Sequence, residues 1–249
     1  MSRSIDLNCD LGEGAGHDWE LMPLITSANI ACGAHAGDEA TMRGAVELAL
    51  RHGVALGAHP GLNDREHFGR RELPVGPSEV HQLVLTQTRM LQIIAQQCGG
   101  RVTHVKPHGA LYHMAARDLS LARAVASAVR EADPRLILYG LPGSQLVAAG
   151  RARGLRVANE VFADRTYQPD GSLTPRSEPG AVIEDPDVAV SQVRQMVRHS
   201  VVTAVDGSQV PITADTVCLH GDGARAVFFA TRLNEELRKS GIALQALGA

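Results

Sequence analysis

The feature that most constrains this chain is a unit that recurs along it: an amphipathic helix, a glycine, a short β-branched strand and a burst of polar residues. Arg51-His52-Gly53 leads into Val54-Ala55-Leu56-Gly57-Ala58-His59, and Gly99-Gly100 into Arg101-Val102-Thr103-His104-Val105-Lys106. Arg153-Gly154 leads into Leu155-Arg156-Val157-Ala158-Asn159-Glu160, and Ser240-Gly241 into Ile242-Ala243-Leu244. A glycine just past a helix adopts the left-handed conformation that turns the chain back. Apolar stripes predict helices over 38–52, behind Asp38 as a possible cap, over 78–98 and over 119–131. A fourth opens at Asp185-Pro186 and a last one covers 224–239. Between them lie strands near 4–9, 27–32, 54–59, 102–106, 136–140, 155–161 and 216–219, with 242–247 as an eighth or an edge strand. Strands alternating with helices imply βαβ units and a mainly parallel sheet, barrel or open. The Pro-, Gly- and Ser-rich stretch 167–179 reads as a long βα loop or a β-hairpin excursion. No linker or charge block divides the chain, so residues 1–249 are expected to form one α/β domain.

Composition narrows the function classes. The chain has 249 residues, with 24 basic against 27 acidic side chains and only 3% aromatics. That balance argues against a basic nucleic-acid face or a base-stacking platform. No apolar run approaches the ~20 residues of a membrane span, and the N-terminal residues lack a signal-peptide core, so a cytoplasmic protein is expected. Cys9, Cys32, Cys98 and Cys218 form no CxxC pair and read as reduced, mostly buried side chains. Lysine is nearly absent: Lys106 and Lys239 stand among 22 arginines.

The chemistry collects at the C-terminal ends of the strands, where parallel α/β architectures bind ligands. Asn8-Cys9-Asp10, His35-Ala36-Gly37-Asp38, His59-Pro60-Gly61, Lys106-Pro107-His108-Gly109, Glu160 with Asp164-Arg165, and His220-Gly221-Asp222 all fall there. Side chains alternate faces along a strand. Asp6, Asn8 and Asp10 therefore oppose Ile5, Leu7 and Cys9, while His104, Lys106 and His108 oppose Val105 and Pro107. Cys218, His220 and Asp222 likewise oppose Val217 and Leu219. The polar parity should face a common interior. By contrast His52, His81 and His199 read as ordinary helix-surface residues. Gly12-Glu13-Gly14-Ala15-Gly16 has neither a Walker lysine nor GxGxxG spacing, so no phosphate loop is expected. No compact metal motif is present and no ligand set is assigned. His35, His59, His108 and His220 with Asp10 could still supply a dispersed site. Without metal, the same residues suit general acid–base work, with Lys106 as the local cation.

Seven strings, taken together, carry a family resemblance: Asp6-Leu-Asn-Cys-Asp-Leu-Gly-Glu13, Ser27-Ala-Asn-Ile-Ala-Cys-Gly-Ala-His-Ala-Gly-Asp38, Gly57-Ala-His-Pro-Gly61, Phe68-Gly-Arg-Arg71, Val105-Lys-Pro-His-Gly-Ala-Leu-Tyr112, Glu160-Val-Phe-Ala-Asp-Arg165 and His220-Gly-Asp222. Running in order from residue 6 to 222, they make the chain resemble the LamB/YcsF family, the A subunits of 5-oxoprolinase. The resemblance implies a single parallel, seven-stranded (β/α) barrel of the glycoside hydrolase/deacetylase type. It implies ATP-dependent opening of the lactam 5-oxo-L-proline to L-glutamate, carried out with two partner subunits, B and C. With no nucleotide motif here, ATP is expected on the partners. A divalent metal is left open, and neither nucleic acid nor membrane is expected as a partner.

On that basis Asp10 is the expected base, His59 and His108 acids or orienters, Lys106 the group holding developing negative charge, and Glu160 a further catalytic residue. Asn8, Glu13, His35, Arg70, Arg71, Asp164, Arg165, His220 and Asp222 are expected to bind substrate, one of the arginines clamping its carboxylate. Ala34 and Leu62 stand where family members more often carry aromatics, and the loop between Gly12 and Met22 is short. The alternatives are a stand-alone metal-dependent amidase or deacetylase, and a non-catalytic 5-oxoproline-binding subunit.

Overall fold

A strand whose alternate residues are all polar needs a polar interior, and β1 (Ser4–Leu11) finds one by joining a closed barrel. The computed structural model describes residues 4–219 and 226–248. After β1 come α1 (Asp18–Leu21), β2 (Ser27–Ala31), α2 (Glu39–His52), β3 (Ala55–His59), α3 (Pro77–Gln97) and β4 (Val102–Val105). Next are α4 (Gly109–Arg117), α5 (Leu119–Ala132), β5 (Ile137–Gly140), α6 (Gln145–Ala152), β6 (Arg156–Phe162) and α7 (Pro186–His199). Last are β7 (Val201–Thr203), β8 (Gln209–Pro211), β9 (Thr216–Leu219), α8 (Ala226–Lys239) and β10 (Ala243–Leu244).

Strands β1 to β6 pair in sequence order, all parallel, and β9 bridges β6 to β1. Closure leaves seven barrel strands with no edge. The expected eighth strand is an edge addition: Ser4 and Ile5 of β1 register with Ala243 and Leu244 of β10. Residues of the apolar parity, among them Leu7, Cys9, Val105, Val217 and Leu219, are buried in the core between barrel and helices.

Local signals place the helices. Asp38 accepts the Thr41 amide at 2.8 Å and caps α2, while Gly53 ends it at φ 67°. Asp118 caps α5 and Asp185 caps α7, with Pro186 in the first turn. Segment 163–185 is a hairpin excursion, carrying antiparallel bridges between Arg165 and Val182 and between Tyr167 and Leu173. The antiparallel β7–β8 pair is a feature the sequence pattern did not predict. Its three-residue strands are too short to show alternation, although Asp206-Gly207 between them is a hairpin turn signal.

Candidate active site

The barrel interior is built in polar layers. At the bottom, Asp6 accepts hydrogen bonds from the hydroxyls of Thr26 (2.6 Å), Ser27 (2.7 Å), Thr216 (2.6 Å) and Tyr139 (3.0 Å). Burial nonetheless raises its pKa, the four donors opposing. One layer up, the Asn29 amide donates to Asn8 Oδ1 (2.7 Å) and to Asp10 Oδ1 (2.8 Å), and Asn8 Nδ2 donates to Thr216 (2.7 Å). His104 Nε2 meets Asn29 Oδ1 at 2.8 Å, and its ring stacks on Tyr139 with centroids 4.4 Å apart. Gly57 makes room for that ring: a Cβ there would lie 1.9 Å from His104 Nε2.

The top layer holds the charges. Lys106 Nζ donates to Asp10 Oδ1 (2.8 Å) and to Cys218 Sγ (3.0 Å) and lies 2.9 Å from Glu160 Oε1. Burial opposes its charge, but Asp10 and Glu160 outweigh it and push the ammonium pKa well above the usual value. Burial pushes the Cys218 thiol up in spite of Lys106, so the sulfur stays protonated. The Tyr112 hydroxyl is also driven up, first by burial and then by the negative Glu160 beside it.

Next to this cluster stands a group of three histidines. His59 donates Nδ1–H to the Lys106 carbonyl (2.7 Å), and its Nε2 lies 3.4 Å from Asp10 Oδ2. Burial lowers its pKa, but Asp10 reverses the shift and leaves it raised. His108 donates Nε2–H to the Phe68 carbonyl (2.8 Å) and brings Nδ1 within 3.0 Å of His59 Nε2. His35 stacks on His108, centroids 3.8 Å apart, and its Nε2 meets Glu13 Oε1 at 3.2 Å. Burial, reinforced by His59, lowers His35 to about 3 and His108 to about 2, so both rings are neutral. The Phe68 carbonyl reaches His108 because Phe68 itself is left-handed (φ 55°), a strained state found preferentially at functional sites.

Above these groups opens a cavity of about 780 Å³ at the C-terminal end of the barrel. Asp10, Glu13, His59, Lys106 and His108 form part of its lining, Arg70 and Arg165 another part, and residues 170–177 of the excursion a further wall. Such a concave site with convergent polar groups is the default ligand site of a barrel.

The sequence profile of the LamB/YcsF family matches residues 5–249. The chain belongs to the LamB/YcsF family. Within it, a relative from Geobacillus kaustophilus, named as the A subunit of 5-oxoprolinase, is 57% identical over 248 residues, covering 98% of this chain and 97% of that protein. The solved structure of a lactam utilization protein from Thermus thermophilus superposes with a TM-score of 0.93 at 45% identity, covering 98% of this chain and 100% of the other. A GH113 β-1,4-mannanase (TM-score 0.52, 12% identity, 97% of this chain and 99% of that one) has a similar fold. So has a T48 deacetylase (TM-score 0.50, 12% identity, 98% and 87%), and both likenesses concern the fold alone.

Of the residues expected in the LamB/YcsF site, Asp10, Glu13, His59, Arg70, Lys106, His108 and Arg165 line the cavity. Asn8, His35 and Glu160 lie behind that lining, 0–1% exposed, and touch it from beneath: Asn8 and Glu160 through Lys106, His35 through Glu13 and His108. Arg71 is outside the cavity lining, bonded to buried Asp64 at 3.2 Å, and Asp164 is also outside it. Arg165 is held by the carbonyls of Ala181 and Thr174, which ties the excursion to the cavity wall. His220 and Asp222 lie outside the described residues.

Asn29, Tyr112 and Cys218, like Asp6 and His104 below them, were not singled out by sequence as site residues. Asn29 joins Asn8, Asp10 and His104, Tyr112 lines the cavity beside Glu160, and Cys218 touches Lys106. Parity was the available signal for Cys218, since it shares the polar face of its strand.

Among the described residues, no helix is long and apolar enough to cross a membrane.

Proposed function

We propose that this chain is the lactam-handling subunit of an ATP-dependent 5-oxoprolinase of the cytoplasm, opening 5-oxo-L-proline to L-glutamate together with two partner subunits, B and C. The observation that carries this reading is the pairing of Asp10 with Lys106 on the floor of a 780 Å³ cavity that also presents Arg70 and Arg165. The names of two relatives, a lactam utilization protein and the A subunit of 5-oxoprolinase, support it.

A γ-lactam is a poor electrophile, and phosphorylation of its amide oxygen at the expense of ATP makes the ring carbon a far better one. With two lysines and no phosphate loop in this sequence, the partners handle ATP and the barrel receives the lactam or its phosphorylated form. Arg70 and Arg165 hold the substrate carboxylate. Asp10, backed by His59, takes a proton from water as its oxygen attacks the ring carbon. Lys106 compensates the negative charge that develops there. The C–N bond then breaks, and its electron pair stays on nitrogen, which takes a proton from Asp10 or from the solvent. A second water releases phosphate from the resulting acyl phosphate. Glu160, out of reach of the substrate, positions Lys106.

The test is to supply the purified chain alone with ATP and 5-oxoproline. Ligand binding without ATP-coupled glutamate release agrees with this division of labour, and full turnover by the chain alone refutes it. A stand-alone metal-dependent amidase would instead release glutamate without ATP and lose that activity to a chelator.

A further inference from the structure

Two histidine nitrogens face one another inside this barrel in a way that hydrogen bonding among neutral groups does not satisfy. A carbonyl oxygen only accepts, so the Lys106 carbonyl, 2.7 Å from His59 Nδ1, fixes the proton of that ring on Nδ1. The Phe68 carbonyl, 2.8 Å from His108 Nε2, likewise fixes the proton of His108 on Nε2. The remaining nitrogens, His59 Nε2 and His108 Nδ1, both point lone pairs at each other across 3.0 Å. Glu13 Oε1 lies 3.5 Å from His108 Nδ1 and 3.8 Å from His59 Nε2, adding an anionic acceptor to the same spot. Among the described residues no N–H stands between the two facing nitrogens, so a proton or a metal ion must bridge them.

His35 completes the set. Its Nε2 is 3.2 Å from Glu13 Oε1, while its Nδ1 is buried against Gly61, where a Cβ would come within 2.5 Å, and has no hydrogen-bond partner among the described residues. One ligand atom from each of Glu13, His35, His59 and His108 lies within 4.8 Å of all the others.

We propose that Glu13, His35, His59 and His108 bind one divalent transition-metal ion of the zinc class, at the cavity wall beside Asp10 and Lys106. Tetrahedral ligands at about 2.0–2.2 Å from an ion lie about 3.4 Å from one another. Four of the six ligand separations, 3.0, 3.2, 3.5 and 3.8 Å, bracket that value, and the His35 ring, stacked on His108, must tilt out of that stack to turn its lone pair on the ion. Three imidazoles and one carboxylate select zinc, cobalt or nickel over magnesium or calcium, which prefer oxygen. The two fixed carbonyl bonds are the outer-shell support that metal-ligating histidines characteristically have. Glu13, His59 and His108 line the cavity, so the ion would face whatever occupies it. The proposal does not depend on the lactam reading, because metal binding is measured without turnover.

The experiment is a cobalt titration of the chelator-treated full-length chain, followed by visible absorption and by metal analysis after gel filtration. The wild type should retain one Co²⁺ per chain with the intense spectrum of a four- or five-coordinate ion, displaced by Zn²⁺ and not by Mg²⁺. Glu13→Gln, nearly isosteric, and His108→Asn should each weaken binding at least tenfold while circular dichroism stays native. Should His108→Asn fail to fold, Glu13→Gln decides alone. Substoichiometric retention, a weak octahedral spectrum, or equal affinity in wild type and Glu13→Gln overturns the proposal. The bridging charge is then a proton on the His59–His108 pair.

Discussion

Replacing Lys106 with methionine keeps the length of the side chain and deletes one charge, which makes it a direct probe of the buried cluster. Lys106 lies 2.8 Å from Asp10 and 2.9 Å from Glu160, with side-chain exposure of 4%. At an effective dielectric of about 20, each pair attracts by about 6 kcal/mol before desolvation. Breaking a buried pair by removing one partner costs about 3–5 kcal/mol net. In a chain of this size that is a fall in Tm of roughly 6–20 °C. The pH dependence identifies the cause. The buried cluster of Asp10 and Glu160 then lacks one positive charge, which a proton taken up on folding can supply, so the variant regains stability relative to wild type as pH falls. Denaturant melts of both proteins between pH 8 and pH 5 check this. A loss below about 1 kcal/mol, or a loss that does not change with pH, would refute the charge account.

Gly57→Ala places a methyl 1.9 Å from the His104 ring, which stacks on Tyr139 and bonds Asn29 and so has nowhere to move; overpacking of this kind costs about 3 kcal/mol, and an unchanged denaturation midpoint would contradict the layering. Burial lowers His35 and His104 to about 3 and His108 to about 2, against about 6.5 in the unfolded chain. The unfolded state then binds more protons below pH 6.5, so each ring removes up to ~1.4 kcal/mol of stability per pH unit on acidification. His59, whose folded pKa is raised, acts oppositely: its contribution is complete below about 6.5 and is lost as pH rises through the folded value. Denaturation midpoints of the chelator-treated chain should therefore fall steeply from pH 6 to pH 4, and a flat profile would contradict the buried neutral histidines. Asp38→Ala should cost about 1 kcal/mol through loss of the α2 cap and leave reconstituted turnover unchanged; a loss of turnover would give Asp38 a role in the site.

The barrel was legible because its strands are short, separated by capped helices, and polar on one parity only. Alternation alone assigned Asp6, Asn8 and Asp10 to an interior face, and the same alternation carried His104 and Lys106 to it. The β7–β8 pair escaped because six strand residues cannot establish a period. Depth was not legible either. Alternation tells which way Asn8 and Glu160 point, but not that they end beneath the cavity floor, because depth depends on strand stagger around the closed barrel. Arg70 and Arg71 are adjacent in sequence, yet only Arg70 lines the cavity, since the turn after left-handed Phe68 and Gly69 hands Arg71 to Asp64. Cys218 is the reduced, buried side chain the sequence suggested, but only the closed barrel shows that its partner is one of the two lysines in the chain.

The central claim is that lactam opening takes place in this barrel, at Asp10, while ATP is handled elsewhere. It is tested most directly by reconstituting the chain with the two proposed partner subunits and following glutamate release and ATP consumption separately for wild type and Asp10→Asn. Glutamate release should fall at least a hundredfold in the variant while its circular dichroism and assembly with the partners stay native. Near-normal glutamate release by folded, assembled Asp10→Asn would contradict the account.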